Sequence, residues 1–298
     1  MNRKQFSLLI IGTLLASVSV AAEKSPKKKA EVISPVTTPA PKTVVKPWKP
    51  TAFDQNADRL PPNYPGIDPV KFFEMFKLKV GNLKKGEFET SEEFTQRTAN
   101  GDALLSPITT ADTYAFRINQ ISVKYDADAQ AYLIGGQDGY TCKETYPFGK
   151  FKDWVTCTVS YIWYKNDTYV GSNAYGASRT VERIRGLNFA LAIAKSSAVL
   201  SATFTQKQER YLKDQYLFQD RLPVPLEKAR SLKDMQIAVL FVGRITDAKV
   251  IEGQGTLIKP EIDSPTDIFI QQEAVPFELN KVIYYVIQTG EILGQKVY

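Results

Sequence analysis

Histidine is missing from all 298 residues. With it go the Ser-His-Asp and Cys-His arrangements of nucleophilic catalysis, His-ligated zinc or haem, and the commonest general base near neutral pH. Cysteine is nearly missing: Cys142 and Cys157 stand alone, too few for a thiolate zinc site and not spaced as a Cys-x-x-Cys redox pair. Long apolar runs are confined to the N-terminus, so no transmembrane segment is expected in the mature form. Carboxylate chemistry survives these exclusions, because glycoside hydrolysis needs only two acids facing each other across about 5–10 Å. No cofactor is implied.

An excess of one charge is also absent from most of the chain. The formal net charge is +6, but Lys24, Lys27, Lys28, Lys29, Lys42, Lys46 and Lys49 cluster near the N-terminus, and from Thr51 onward 29 basic residues meet 30 acidic ones. A folded part so close to neutral lacks the basic footprint of nucleic-acid binding. No nucleic acid is expected as a partner.

Arg3 and Lys4 followed by the apolar stretch Phe6 to Leu15 and by Ser19-Val20-Ala21-Ala22 read as a secretory signal over residues 1–22. Gly12, Thr13, Ser17 and Ser19 interrupt the apolar stretch, which argues against the rival reading, an uncleaved anchor. The address implied is periplasmic or secreted, in a bacterium. Residues 23–62 are rich in Lys, Pro, Thr and Ala and poor in large apolar side chains, the composition of a disordered linker with stretches of polyproline II. In an exported chain an even pair of cysteines reads as a disulfide. Cys157 falls on an apolar strand face, and Pro147-Phe148-Gly149 can turn the chain back between it and Cys142.

Asp68 followed by Pro69, with Val70, Phe72, Phe73, Phe76, Leu78 and Val80 at helical spacing, predicts a helix over 68–80. Thr90 with Glu93 three residues later predicts a capping box opening a second helix that runs to about Asn100. Alternating Tyr, Val, Thr, Ile and Trp predict strands over 114–125, 131–135, 140–145, 155–164 and 179–194, with a further edge around 169–175. The Gln-rich stretch 205–219 reads as helix or loop. A short helix over 226–233 and strands over 237–245, 256–258, 267–272 and 281–288 follow, with a closing pair near Ile292. The fold class expected is therefore α+β: N-terminal helices followed by antiparallel β-sheets, in two sheet-based lobes over 63–220 and 221–298.

The segment Lys85-Gly86-Glu87-Phe88-Glu89-Thr90-Ser91-Glu92-Glu93-Phe94, followed by Arg97, resembles a KxEFETxxEFxxR segment of uncharacterised secreted bacterial proteins, and Thr289-Gly290-Glu291-Ile292-Leu293 is similar to their C-terminal TGEVL ending. The resemblance implies no activity. The Lys/Pro tail also resembles the spacer of TonB-type envelope proteins, without a match to that family's C-terminal domain.

No residue set stands out as catalytic or metal-binding. The acids Glu87, Glu89, Glu92 and Glu93 sit at a helix start, where capping and the helix dipole explain them. Asp126 and Asp128 lack the rest of a calcium loop and read as a turn. Gly135-Gly136-Gln137-Asp138-Gly139 and Gly253-Gln254-Gly255 lead into no helix that could hold phosphate and read as turns too. Val155, Cys157, Val159, Tyr161 and Trp163 alternate onto one face and read as core, leaving Tyr164, Tyr169 and Tyr175 as candidates for exposure. The function expected is a non-enzymatic envelope binding or structural protein of unknown ligand, its partner another envelope protein or a cell-wall polymer. The alternatives are a carboxylate-pair hydrolase of cell-wall or other polysaccharide and an accessory subunit of a secretion or pilus apparatus. Exported material should begin at Ala22 or Glu23, which N-terminal sequencing reads directly; Met1 on membrane-embedded protein would overturn the signal assignment.

Overall fold

Period-two alternation dominates the chain after Thr113, and in the computed structural model it outweighs the helical segments. The structure describes residues 48–99, 101–119, 121–136, 142–144, 153–164, 166–209 and 212–298. The stretches expected to be a signal, over 1–22, and the linker as far as residue 47, together with Asn100, Gln137-Asp138-Gly139, Pro147-Phe148-Gly149 and Lys165, lie outside them.

Three short helices come first: α1 (Pro69–Gly81), α2 (Ser91–Thr98) and α3 (Gly101–Leu105). Strands β1 (Tyr114–Ile118), β2 (Ile121–Asp126), β3 (Ala131–Gly136), β4 (Cys142–Glu144), β5 (Trp154–Trp163), β6 (Asp167–Ser172) and β7 (Ser178–Ala194) follow. After α4 (Ala198–Thr203) come β8 (Phe204–Glu209) and β9 (Leu212–Pro223). Then α5 (Leu226–Ser231) leads into β10 (Ile237–Ile245), β11 (Ile251–Ile258), β12 (Thr266–Val286) and β13 (Ile292–Val297).

The α+β expectation is overturned. The protein is mostly β, 48% strand against 16% helix, and its short helices form no N-terminal helical layer. Nor are there two sheet lobes in chain order. Strands from both ends of the chain share one nine-stranded sheet, β1-β10-β12-β7-β5-β4 with β6, β11 and β13 attached, while β2-β3-β9-β8 form a second sheet. The large sheet is not purely antiparallel either, since Thr266–Pro276 of β12 runs parallel to Glu182–Ala192 of β7. Two local expectations fail with it. Of the polar stretch 205–219, residues 205–209 and 212–219 lie in the paired strands β8 and β9, and the two strands expected around Pro276 are the single strand β12.

One face of the large sheet carries the main core. Asp68 accepts hydrogen bonds from the Val70 and Lys71 N–H groups and so starts α1, whose Phe72, Phe73 and Phe76 are fully buried. Phe72 meets Phe116 edge-on at 5.1 Å, and Phe73 packs on Phe189 at 4.8 Å. The small sheet covers the rest of that face, with Phe218 against Phe241 at 5.4 Å. Joined to it by hydrogen bonds is Asp220 of β9, which accepts from Tyr284 Oη on β12 and from Lys296 Nζ on β13.

The opposite face, around β1, β10 and β12, is covered by an extended strap before α1. Leu60 is buried there with Ala115, Leu240, Val242 and Tyr285. Leu60 N–H donates to Gly290 O at 2.9 Å, Asn63 N–H to Ile287 O at 2.7 Å, and Tyr285 Oη to Tyr64 O at 2.6 Å. Residues 53–62 thus belong to the folded body, although their composition places them in the linker. The composition misleads because the strap gains its order from a sheet supplied by the far end of the chain.

Cys142 and Cys157 are direct cross-strand partners on β4 and β5 and form a disulfide, with Cα atoms 4.0 Å apart. Both are buried.

Two predictions follow from these contacts. Replacing both cysteines by Ala should lower unfolding free energy by about 3 kcal/mol, mainly by freeing the unfolded chain, as read by urea denaturation. Gly290→Ala should also destabilise the fold, by about 1–3 kcal/mol, because Gly290 has a φ of +71° and a Cβ there collides with Leu60 O. Urea denaturation of Gly290→Ala beside Gly176→Ala checks this, since Gly176 also has positive φ but open space around it; equal losses would leave the strap contact without weight.

Candidate functional site

The small sheet ends at β2, which among the described strands pairs with β3 alone. A strand in that position presents one edge of N–H and C=O groups without sheet partners. Alternation along β2 sends Ile121, Val123 and Tyr125 to the inner face and Ser122 and Lys124 to the outer one. At this end the two layers part. Between inner β2 and the α5–β10 connection lies a groove of about 600 Å³, walled on the far side by Leu232, Met235, Ile237 and Ile287.

The groove is apolar, with its polar groups at the margins. Val123 and Met235 are exposed on its two sides. Tyr125 and Tyr132 pack edge-to-face at 4.9 Å, and Tyr125 Oη donates to Val224 O at 2.8 Å. Burial pushes the Tyr132 hydroxyl above its ordinary range, with Tyr125 adding to the effect. Arg230 and Lys233 are the charged residues lining the groove, and no acid lines it.

A second surface arises where the sequence reading fails. Val155, Cys157 and Val159 are in the core as alternation predicts. Tyr161 and Trp163 are not, because the β5–β7 register shifts between Thr158 and Ser160. Such a bulge inserts one residue and reverses which side chains face inward. Ile162 consequently packs on the core, while Trp163 is 53% exposed and its ring lies parallel to that of Tyr161, with centroids 5.6 Å apart. The signal was present in the unbroken run Tyr161-Ile162-Trp163-Tyr164, where four large side chains in a row cannot all obey one alternation. The groove left no comparable trace, since it is built from residues more than 100 positions apart.

The acids singled out by the sequence have structural partners. Thr90 Oγ1 accepts from Glu93 N–H, and Glu93 Oε2 accepts from Thr90 N–H at 2.8 Å, completing the capping box of α2. These bonds hold the Glu93 carboxyl below its usual range. Glu89 accepts from Arg97 and from Gly86 N–H, and the Arg97 bond above all holds it down at about 2. Arg97 also donates to the Lys84 and Asn82 carbonyls, so the 82–97 segment is stapled on itself. Asp126 accepts from Ala129 N–H and closes a turn. Gly135 lies in β3, and Gly253 and Gly255 lie inside β11 rather than in a turn.

Two further pairs of acids, Glu252/Glu273 facing across strands and Asp167/Asp267 on either side of β7, are bridged by cations. Lys77 pairs with both Glu252 and Glu273, and Arg183 with both Asp167 and Asp267. Burial alone would lower the Lys77 pKa, but its bonds to the two glutamates outweigh that and raise it. Arg183 lies 4.4 Å over the Tyr169 ring, which is thereby covered, whereas Tyr164 and Tyr175 are exposed. Among the described residues no cluster of three or more potential metal ligands occurs, and no helix is long and apolar enough to cross a membrane. No protein family, curated protein or solved structure matches the chain.

Proposed function

We propose that the protein is a non-enzymatic binding module of the bacterial envelope, acting in the periplasm or outside the cell, which takes an extended segment of a partner protein in the groove beside β2. The observation that carries this reading is the coincidence of an open strand edge with an apolar groove on the same strand's inner face. A peptide adding to β2 gains main-chain hydrogen bonds from the edge and places alternate side chains in the groove. Lys233, beside an Arg230 that already pairs with Glu227, favours a segment that carries an acidic residue or ends in its own carboxylate near α5. The disulfide supports an oxidising compartment.

Hydrolysis by a carboxylate pair gains no comparable support. The acid pairs Glu252/Glu273 and Asp167/Asp267 each hold a cation between them, which occupies the space a substrate bond would need between two catalytic carboxylates.

Selection of decapeptides from a random array by the intact protein should enrich alternating apolar residues with an acid at one end. Val123→Glu and Met235→Glu, both at exposed positions, should weaken the selected peptides about tenfold or more without changing the melting temperature. Peptides that bind both variants as tightly as the parent would place recognition elsewhere.

A further inference from the structure

The far face of the large sheet, turned away from α1 and the small sheet, has a chemistry found nowhere else in the described protein. All four polar residues buried there or anywhere in the described chain, Thr156, Thr158, Asn188 and Gln272, fall on this one face. None is charged. Beside them β5 presents the parallel rings of Tyr161 and Trp163. Trp163 lies opposite Gly186 on β7, and a Cβ at that glycine would stand 3.0 Å from the indole, so the indole rests in space that a side chain would fill.

The polar residues form a chain that stops short. Gln272 Nε2 donates to Thr156 Oγ1 at 3.0 Å, and Asn188 Nδ2 donates to Gln272 Oε1 at 3.0 Å. Asn188 is only 3% exposed, yet its Oδ1 accepts no hydrogen bond. β7 lies between β12 and β5. With Nδ2 turned to Gln272 on β12, Oδ1 is directed to the β5 side, where Tyr161 is the cross-strand neighbour of Asn188. A buried carbonyl left without a donor costs about 1–3 kcal/mol, so a native structure that keeps one calls for an explanation.

We propose that this face binds a glycan. A pyranose ring stacks its C–H face on the exposed Trp163, beside Tyr161, and one of its hydroxyls donates to Asn188 Oδ1. The class of ligand follows from the groups present. Aromatic rings take an apolar face, neutral amides and hydroxyls take neutral polar groups, and a hydroxyl, being both donor and acceptor, meets the Asn188 amide in either orientation. A purely apolar partner, such as a peptide face or a second copy, would seal Asn188 Oδ1 without a donor. Access to Oδ1 requires the indole to swing aside, and Trp163 is half exposed, the setting in which side chains change rotamer within nanoseconds. This site is separate from the β2 groove and does not depend on it.

Calorimetric titration of the intact protein with chitin-, cello- and malto-oligosaccharides of four to six sugars tests the proposal. At least one series should bind, Trp163→Ala should weaken it about tenfold, equivalent to about 1.4 kcal/mol, and Trp163→Phe should retain most of the affinity. Melting temperatures should stay equal, and Val123→Glu should bind the sugar as the parent does. Absence of binding by every series at about 10 mM, weaker than any affinity a stacked ring with a hydrogen bond should give, would overturn it. So would a concentration-dependent dimer that Trp163→Ala dissolves in sedimentation, because the face would then belong to a second copy.

Discussion

The fold depends on the continuity of β12, a 21-residue strand whose two halves have different neighbours. From Thr266 to Pro276 it pairs with β7 and β11, and from Phe277 to Val286 with β10 and, over its last stretch, β13. β10 and β11 are consecutive in the chain and both antiparallel to it, so they follow one another along β12. Two groups of strands that would otherwise be separate sheets are joined by one backbone. Pro276 stands at the change of neighbours, where a missing N–H interrupts the ladder least. Everything described above the sheet is placed by this strand: Val275, Phe277 and Leu279 floor the main core, and Tyr285 anchors the strap behind it.

Helix starts were legible because their determinants are local. Asp68 before Pro69 and Thr90 before Glu93 satisfy N–H groups within three residues of themselves, and no distant contact can overrule them. The disulfide was legible for a similar reason, since two cysteines allow one pairing. β12 was not legible. Glu273, Pro276 and Glu278 look like a break until β7, β10 and β11 supply partners from residues 21 to 84 positions away. The β8–β9 hairpin was hidden in the same way, its polar composition outweighed by pairing of β9 with β3. The fold class was misjudged less through the helices, which stand where they were expected over 69–81, 91–98 and 226–231, than through the strands, whose signals are spread over long, two-sided stretches.

The candidate sites follow from what the sheets leave unpaired. A sandwich of nine strands over four cannot cover itself completely. Where the smaller sheet ends at β2, the inner alternation of Ile121, Val123 and Tyr125 runs on past its cover, and a groove results. Where β5 bulges at Val159, two aromatic rings are carried from the core side to the far side. The first was invisible in the sequence, because it is the border between layers. The second was written there as a run of large side chains and was misread as core because alternation was extended through the bulge.

Absence of histidine acquires a structural counterpart in the direction of the pKa shifts. Burial raises the hydroxyls of Tyr64, Tyr114, Tyr132, Tyr284 and Tyr285, with Tyr114 pushed up to about 12. Glu89 and Glu93 move down, and Lys77 and Arg97 move up. Every shifted group among the described residues is therefore carried further from neutrality. A depressed carboxylate contributes stability that is lost only as pH falls through its folded value, here toward about 2 for Glu89. A raised lysine or tyrosine contributes stability that is lost only as pH rises past the ordinary value near 10. Between these limits the shifted groups keep one charge state. Acid–base catalysis requires the reverse, a group moved toward the working pH, whereas recognition through backbone edges, apolar grooves and neutral amides requires only that the charges stay where they are.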